Sequence, residues 1–314
     1  MCDLFNDKPL VSVIIPNYNH ARYLDERIQS ILNQTYQEFE VIILDDKSTD
    51  NSVEIINQYK KNPHISHIIV NDENSGSTFK QWQKGFELAK GELIWIAESD
   101  DKCDVTFLET LIRFFLQYSN CVLAYTRSVM FSGNMTLDGV DSQIKKPQEV
   151  LLGSVFIAER MAAGNAIVNA SSAVFRKSIA LCIDKQYTKY KGAGDRLFWI
   201  KIAEKGNVCI DYHSLNFFRI HSDNSTKRYY YEGTNQRDDF LILQYIRRKN
   251  YITDKQYKKS KRIYAKWNIF SDRLSPEHKK EISRLWGVGF WDRFLIHIYN
   301  LIEIINYKYS FLFK

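Results

Sequence analysis

The chain reads as an α/β protein with a mostly parallel central sheet, followed by a helical C-terminal extension. Three observations predict this. Apolar runs of strand length alternate with amphipathic helical patterns through the first hundred residues, the order that βαβ units produce. Two of those runs, VIILDD (41–46) and LIWIAESDD (93–101), are apolar and then stop in carboxylates, as strands covered on both faces do at a sheet edge. Beyond Tyr229 the pattern turns helical, with no strand signal of that quality.

VSVIIP (11–16) is the first strand, and a helix follows over 21–33 with Leu24, Ile28, Ile31 and Leu32 on one face. VIILDD is the second. A helix then opens near Asp50 or Ser52 with Val53, Ile56 and Tyr59 in register. HIIV (67–70) is the third strand. The next helix carries Phe79, Trp82, Phe86 and Ala89 at spacings of three and four, which makes those aromatics core. LIWIAE is the fourth strand, and VLAYTRSVMF (122–131) and ASSAVFR (170–176) supply two more, with a surface loop over 132–148. KGAGDRLFWIKIAEKG (191–206) is a glycine-rich approach to a helix carrying Leu197, Trp199, Ile200 and Ala203. Asp195 opens that helix, as an N-cap or as a functional carboxylate.

Parallel strands deliver ligand contacts outside their carboxyl ends. Asp45 and Asp46 would share that edge with Glu98, Asp100 and Asp101, and such a cluster asks for a divalent metal, a cationic partner or a hydrogen-bonding nucleotide. The bland alternative is a strand end followed by a helix capped by Asp101 or Asp104. The turn after the first strand has neither GxGxxG nor GxxxxGK, which excludes the dinucleotide fold and the phosphate-binding NTPases. It reads Pro16-Asn17-Tyr18-Asn19-His20, where Pro16 should stop the ladder and Tyr18 offers a flat face for a base, or simply forms a turn.

At 314 residues the chain exceeds one typical core, so a main domain plus an extension is expected. Composition is that of a globular protein, with 45% hydrophobic and 25% charged residues. The five cysteines lack CxxC spacing, and Cys121, Cys182 and Cys209 sit in apolar stretches, which suits reduced core thiols. MCDLFNDKP has no secretory pattern, and no apolar run nears the roughly 20 residues that span a bilayer. The expectation is a cytoplasmic protein, or a peripheral one on the inner membrane face. Net charge is +6, but residues 247–284 carry 13 Lys and Arg against four acids, a net +9 that leaves the rest at −3. Without a nucleic-acid motif, that segment is either a solvated helical face or a surface for anionic lipid or a phosphorylated acceptor.

The stretches VSVIIPNYNHARYLDERIQSILNQTYQEFEVIILDDKSTDNS and NSGSTFKQWQKGFELAKGELIWIAESDD together resemble the inverting nucleotide-sugar glycosyltransferases of the large bacterial family 2, which have the GT-A fold. The resemblance spans about residues 10–225 and is most specific over 11–101. It implies a Rossmann-like nucleotide-binding half at about 10–101, an acceptor-side half at about 102–228 and a helical, basic region at 229–314. By the same resemblance Pro16 and Tyr18 flank the base, and Asp46, with Asp45 beside it, bonds its pyrimidine edge. Glu98-Ser99-Asp100 matches the DxD motif, with Glu in place of the usual first Asp; Asp100 would ligate Mn2+ or Mg2+, and Glu98 would lie near the ribose. Trp82-Gln83 stands where the family often has Arg-Asn. Lys80 is a candidate diphosphate contact, or a solvated helical lysine.

A nucleoside diphosphate leaving group neutralised by a divalent cation needs no protein acid. Glycoside hydrolysis, by contrast, needs an acid as well as a second carboxylate. A direct displacement needs only one base for the acceptor hydroxyl, and the resemblance assigns that base to Asp195, whose ionised form the helix dipole favours. FFRIHSDNST (217–226) resembles the family's Arg-x-His-x-x-Asn-x-Ser segment, making His221 a candidate metal ligand or diphosphate contact. The expected donor is a nucleoside diphosphate sugar, a UDP-sugar first. The acceptor would be a glycan or lipid-linked hydroxyl in cell-surface polysaccharide synthesis, with an anionic membrane surface meeting 247–314 and no nucleic acid involved. Two other functions stand: a weak or inactive membrane-edge partner of the same fold, and a sugar-phosphate nucleotidyltransferase, which lacks its Gly-rich loop here. The last helix, about 288–306, has Phe290, Trp291, Phe294, Leu295, Ile298, Leu301, Ile302 and Ile305 on one stripe, to pack inward or lie in a membrane interface.

Overall fold

The computed structural model describes residues 8–133, 135–136, 147–221, 225–270, 273–289, 291, 292, 294 and 298. The chain begins with β1 (Val11–Asn17), α1 (Ala21–Leu32), β2 (Phe39–Asp45), α2 (Ser52–Gln58), β3 (Ile65–Val70), α3 (Thr78–Leu88) and β4 (Leu93–Ile96). These strands pair in the order β3-β2-β1-β4, all parallel. β1, β2 and β4 are buried throughout, which is why their sequences are continuous apolar runs and not alternating ones. Leu24, Ile28 and Ile31 of α1 are buried with them, as are Phe79, Trp82 and Phe86 of α3.

β5 (Lys102–Cys103), α4 (Phe107–Gln117), β6 (Cys121–Ser132), β7 (Met135–Thr136), β8 (Gln148–Leu152) and α5 (Gly153–Phe156) follow. Then come β9 (Ala173–Arg176), α6 (Lys177–Cys182), α7 (Gly194–Ala203) and β10 (Asn207–Arg219). β9 lies antiparallel between β4 and β6, and β10 runs parallel to β6. The end of β10 therefore reaches the turn after β4, where Arg219 N–H donates to Asp101 Oδ1 at 3.0 Å.

Contacts divide the chain into two units. One comprises Met1–Ile157, Asn165–Tyr190 and Gly194–Asp223, and the other Ala158–Gly164, Lys191–Ala193 and Asn224–Lys314. The second holds α8 (Ser225–Tyr231), α9 (Thr234–Arg248), α10 (Asp254–Tyr264) and α11 (Pro276–Leu285). A capping box of Thr253 and Gln256 starts α10, and Ser275 with Pro276 at the first position starts α11. Ile242, Ile246, Tyr264, Ile282 and Trp286 form its interior.

Several expectations change. Pro16 does not stop the ladder: it pairs with Leu44 inside β1. Its missing N–H falls on the β4 side, where pairing has already ended at Ile14 and Ile96, so no hydrogen bond is lost. Asp195 is not an N-cap, because α7 already begins at Gly194. Neither Asp101 nor Asp104 caps α4, whose N-cap is Thr106. Cys182 is exposed, unlike Cys103, Cys121 and Cys209, because it lies at the end of a six-residue helix with Ala180 as its buried residue. The strand expected from residue 170 opens with a 3-10 turn, Ala170–Ser172. The 132–148 loop is bracketed by β7 and β8, and 137–146 lie outside the described residues, as does most of the helix expected over 288–306.

Candidate active site

The turns after β1 and β2 are tied together. Asn19 takes a left-handed conformation, φ 57°, which Asn tolerates better than most residues. Its N–H donates to Ser48 Oγ at 2.9 Å, and its Oδ1 accepts from Thr49 N–H at 2.7 Å. Asp45 is fully buried and accepts from Asn17 Nδ2 (2.7 Å), Ser48 N–H (2.8 Å) and Ser48 Oγ (2.6 Å). Asp46 accepts from Asn71 Nδ2 (2.7 Å), Ser75 N–H (2.9 Å), Ser75 Oγ (2.7 Å) and Gln81 Nε2 (2.8 Å). Asp46 thus organises the 71–81 segment with its own carboxylate. Lys80 is exposed and donates to Ser75 O at 3.0 Å in that segment. Pro16 is buried, while Tyr18 is 46% exposed beside these turns.

The turn after β4 carries the second group of acids. Glu98 Oε1 accepts from Trp82 Nε1 at 3.2 Å, and burial, with the charges of Asp100 and Asp101, pushes its carboxyl up to about 8. Asp101 has no exposed surface and accepts from Asn169 Nδ2 (2.5 Å) and Ser171 Oγ (2.7 Å) besides Arg219. Burial, then the charge of Asp100, pushes it up to about 7. Burial alone would also raise Asp100. The hydrogen bond from His221 Nε2, at 2.9 Å from Asp100 Oδ2, and the nearby His20 outweigh it and hold Asp100 below the usual carboxylate range. His20 is lowered, chiefly by burial, and its Nδ1 lies 2.8 Å from Ser99 Oγ.

One ligand atom each from His20, Asp100 and His221 lie within 4.8 Å of one another. Two imidazole nitrogens and a carboxylate oxygen fit a divalent cation. The nitrogens suit Mn2+ better than Mg2+, which favours an octahedron of oxygens. His221 Nδ1 is buried without a hydrogen-bond partner.

The structure places Asp100, His221 and Ser99 together, with Glu98 in the same turn. Asp195, in the first turn of α7, accepts from Asn165 Nδ2 at 2.9 Å. Sequence reasoning gave no role to His20, which lies three residues beyond β1 and immediately before α1. It also gave no role to Arg219, whose Nε donates to Asp100 O at 2.7 Å and which pairs with Glu26. The Arg219 guanidinium sits over Tyr23 at 4.5 Å and Phe131 at 4.4 Å. Arg27 was missed too. It is fully buried, its cation lies 4.8 Å from the Trp95 ring, and its charge opposes the upward shift of Glu98 and Asp101. A lone Arg between Leu24 and Ile28 on an apolar helix face was the available signal.

The model of Glycosyl transferase family 2 matches residues 12–177, just over half the chain. TuaG of Bacillus subtilis, named as a glycosyltransferase of teichuronic acid biosynthesis, is 37% identical over 134 residues, covering 42% of this chain. The chain spans about half of that relative, 52% of its length. Among solved structures, S. aureus TarS 1-349 in complex with UDP-GlcNAc superposes with a TM-score of 0.65 at 19% identity, covering 88% of this chain and 79% of TarS. The mannosyltransferase PcManGT from Pyrobaculum calidifontis, in complex with GDP-Man and Mn2+, gives 0.58 at 15% identity over 96% of this chain and 83% of its own. At those identities the two structures establish the GT-A-type fold alone.

Proposed function

Because the chain belongs to glycosyl transferase family 2, we propose that it moves a sugar from a nucleoside diphosphate sugar to an acceptor hydroxyl, with inversion, in cell-surface polysaccharide or lipid-linked glycan synthesis. The observation that carries this is the convergence of His20, Asp100 and His221 within 4.8 Å beside the carboxyl ends of parallel strands. TarS binds UDP-GlcNAc and UDP, which makes a UDP-sugar the first donor to try.

In this proposal Asp46, with the segment it organises, and exposed Tyr18 receive the base, while Lys80 reaches the diphosphate. His20, Asp100 and His221 would hold Mn2+, or less suitably Mg2+, which when bound neutralises charge on the departing diphosphate. Glu98 and Ser99 shape the same turn beside the ribose. Asp195 takes the proton of the acceptor hydroxyl as it attacks the anomeric carbon from the face opposite the leaving group. The test is a screen of nucleotide sugars for Mn2+-dependent release of nucleoside diphosphate by the purified protein. No release from any donor, with and without Mn2+, would reject the proposal.

The basic region completes it with an anionic lipid surface. Trp267 is 58% exposed with Lys266 Nζ 4.7 Å above its ring, and Trp291 and Phe294 are 72% and 47% exposed. Asp292 between them accepts from Lys261 at 3.3 Å and Arg262 at 3.5 Å. Exposed aromatic rings among cations match the headgroup boundary of an anionic bilayer. No helix among the described residues is long and apolar enough to cross one.

A further inference from the structure

The carboxylate of Asp195 does not stand alone on α7. Asn165 Nδ2 donates to Asp195 Oδ2 at 2.9 Å, and the Asn165 amide is itself fixed, because its Oδ1 accepts from Ile167 N–H at 3.2 Å. That second bond settles which end of the amide faces the acid: the oxygen is taken by a backbone donor, so the nitrogen points to Asp195. Ile167 is fully buried and anchors the segment. Four residues on, Asn169 Nδ2 reaches Asp101, and its Oδ1 accepts from Asn216 Nδ2 at 2.8 Å. Ser171 Oγ donates to Asp101 and accepts from Glu98 N–H at 3.0 Å, while Ser171 O accepts from Trp95 Nε1 at 2.8 Å. Within seven residues one stretch of chain grips both Asp195 and the turn that carries Asp100.

We propose that Asn165 is a positioning residue for the base, through which the 165–171 segment sets the Asp195 carboxylate relative to the Asp100 turn and keeps it ionised. This rests on the reading of Asp195 as the base. The physical ground is that a hydrogen bond donated to a carboxylate favours its charged form, while a donor already engaged elsewhere fixes the direction of its lone pairs. A base oriented this way accepts the acceptor proton without first reorganising. Nothing in the residue type of Asn165 announces the role. It emerges from the pair of bonds that the amide makes.

The experiment follows the Asp195 carboxyl directly, by carbon-13 NMR of protein labelled at the aspartate carboxyl carbon, its resonance assigned by its loss in Asp195→Asn. In Asn165→Ala the titration midpoint of Asp195 should rise by about one unit, the size expected for one lost hydrogen bond to a charged group. In Asn165→Asp it should rise further, because a second negative charge faces the first. UDP affinity and the thermal midpoint serve as folding controls and should stay near wild type. An Asp195 midpoint unchanged in both variants overturns the proposal. Turnover of Asp195→Asn, measured on whichever nucleotide sugar the wild type consumes, tests the base reading separately: near-normal turnover overturns that reading and this proposal with it. Lost turnover beside an unmoved midpoint overturns only the role of Asn165.

Discussion

His221 Nε2 lies 2.9 Å from Asp100 Oδ2, joining the chain just beyond β10 to the turn just beyond β4. Positions 121 apart in sequence thereby meet at one sheet edge, with His20 from beyond β1 as the third member of the group. Arg219 fastens the same junction through the Asp100 carbonyl.

His20→Ala should weaken Mn2+-dependent UDP binding, since it removes one of the three proposed metal ligands and leaves the hydrogen bonds of Asp45 and Asp46 untouched. An affinity loss of about tenfold in Mn2+, with none in chelator, is the expected calorimetric result. Equal affinities in Mn2+ would leave His20 as no more than the partner of Ser99.

Asp195→Asn keeps the shape of the side chain but cannot accept a proton. Turnover should fall at least about 10²-fold while affinity for the donor stays near wild type. A near-normal rate means that another group serves as the base.

Asp46→Ala should raise the dissociation constant for the nucleoside diphosphate roughly tenfold, the size of one lost charge-assisted bond of about 1.5 kcal/mol. It should also lower the thermal midpoint, because Asn71, Ser75 and Gln81 lose their common acceptor. If stability falls and affinity does not, Asp46 organises its loop without meeting the base.

Vesicles of anionic lipid should sediment the full chain at low salt and release it at high salt, since each basic residue near the surface contributes about 1 kcal/mol that ions screen. Replacing Trp267 and Trp291 together by Ala should reduce sedimentation several-fold without loss of UDP binding. Full-length protein left in the supernatant at low salt rejects the membrane surface.

Most of the first hundred residues was legible because fully buried parallel strands must be apolar along their whole length. VSVIIP, VIILDD and LIWIAE therefore announced themselves, and the acids at their ends marked the edge. The partners of those acids were not legible. Asn169 and Ser171 meet Asp101 across about 70 positions, and no periodicity in their own stretch reports that. Pro16 was misjudged because the cost of a missing N–H depends on which side of β1 it faces and how far β4 runs. Asp195 shifted from cap to first turn because the glycine before it already belongs to the helix.

In the proposed site Asp100 anchors a divalent cation on which nucleotide binding depends. Titration calorimetry of UDP into wild type and Asp100→Ala, each with Mn2+ and with chelator, tests it most directly. Tight binding is expected only for wild type in Mn2+, and weak, metal-independent binding for the variant. Equal and metal-independent affinities in both proteins would contradict it.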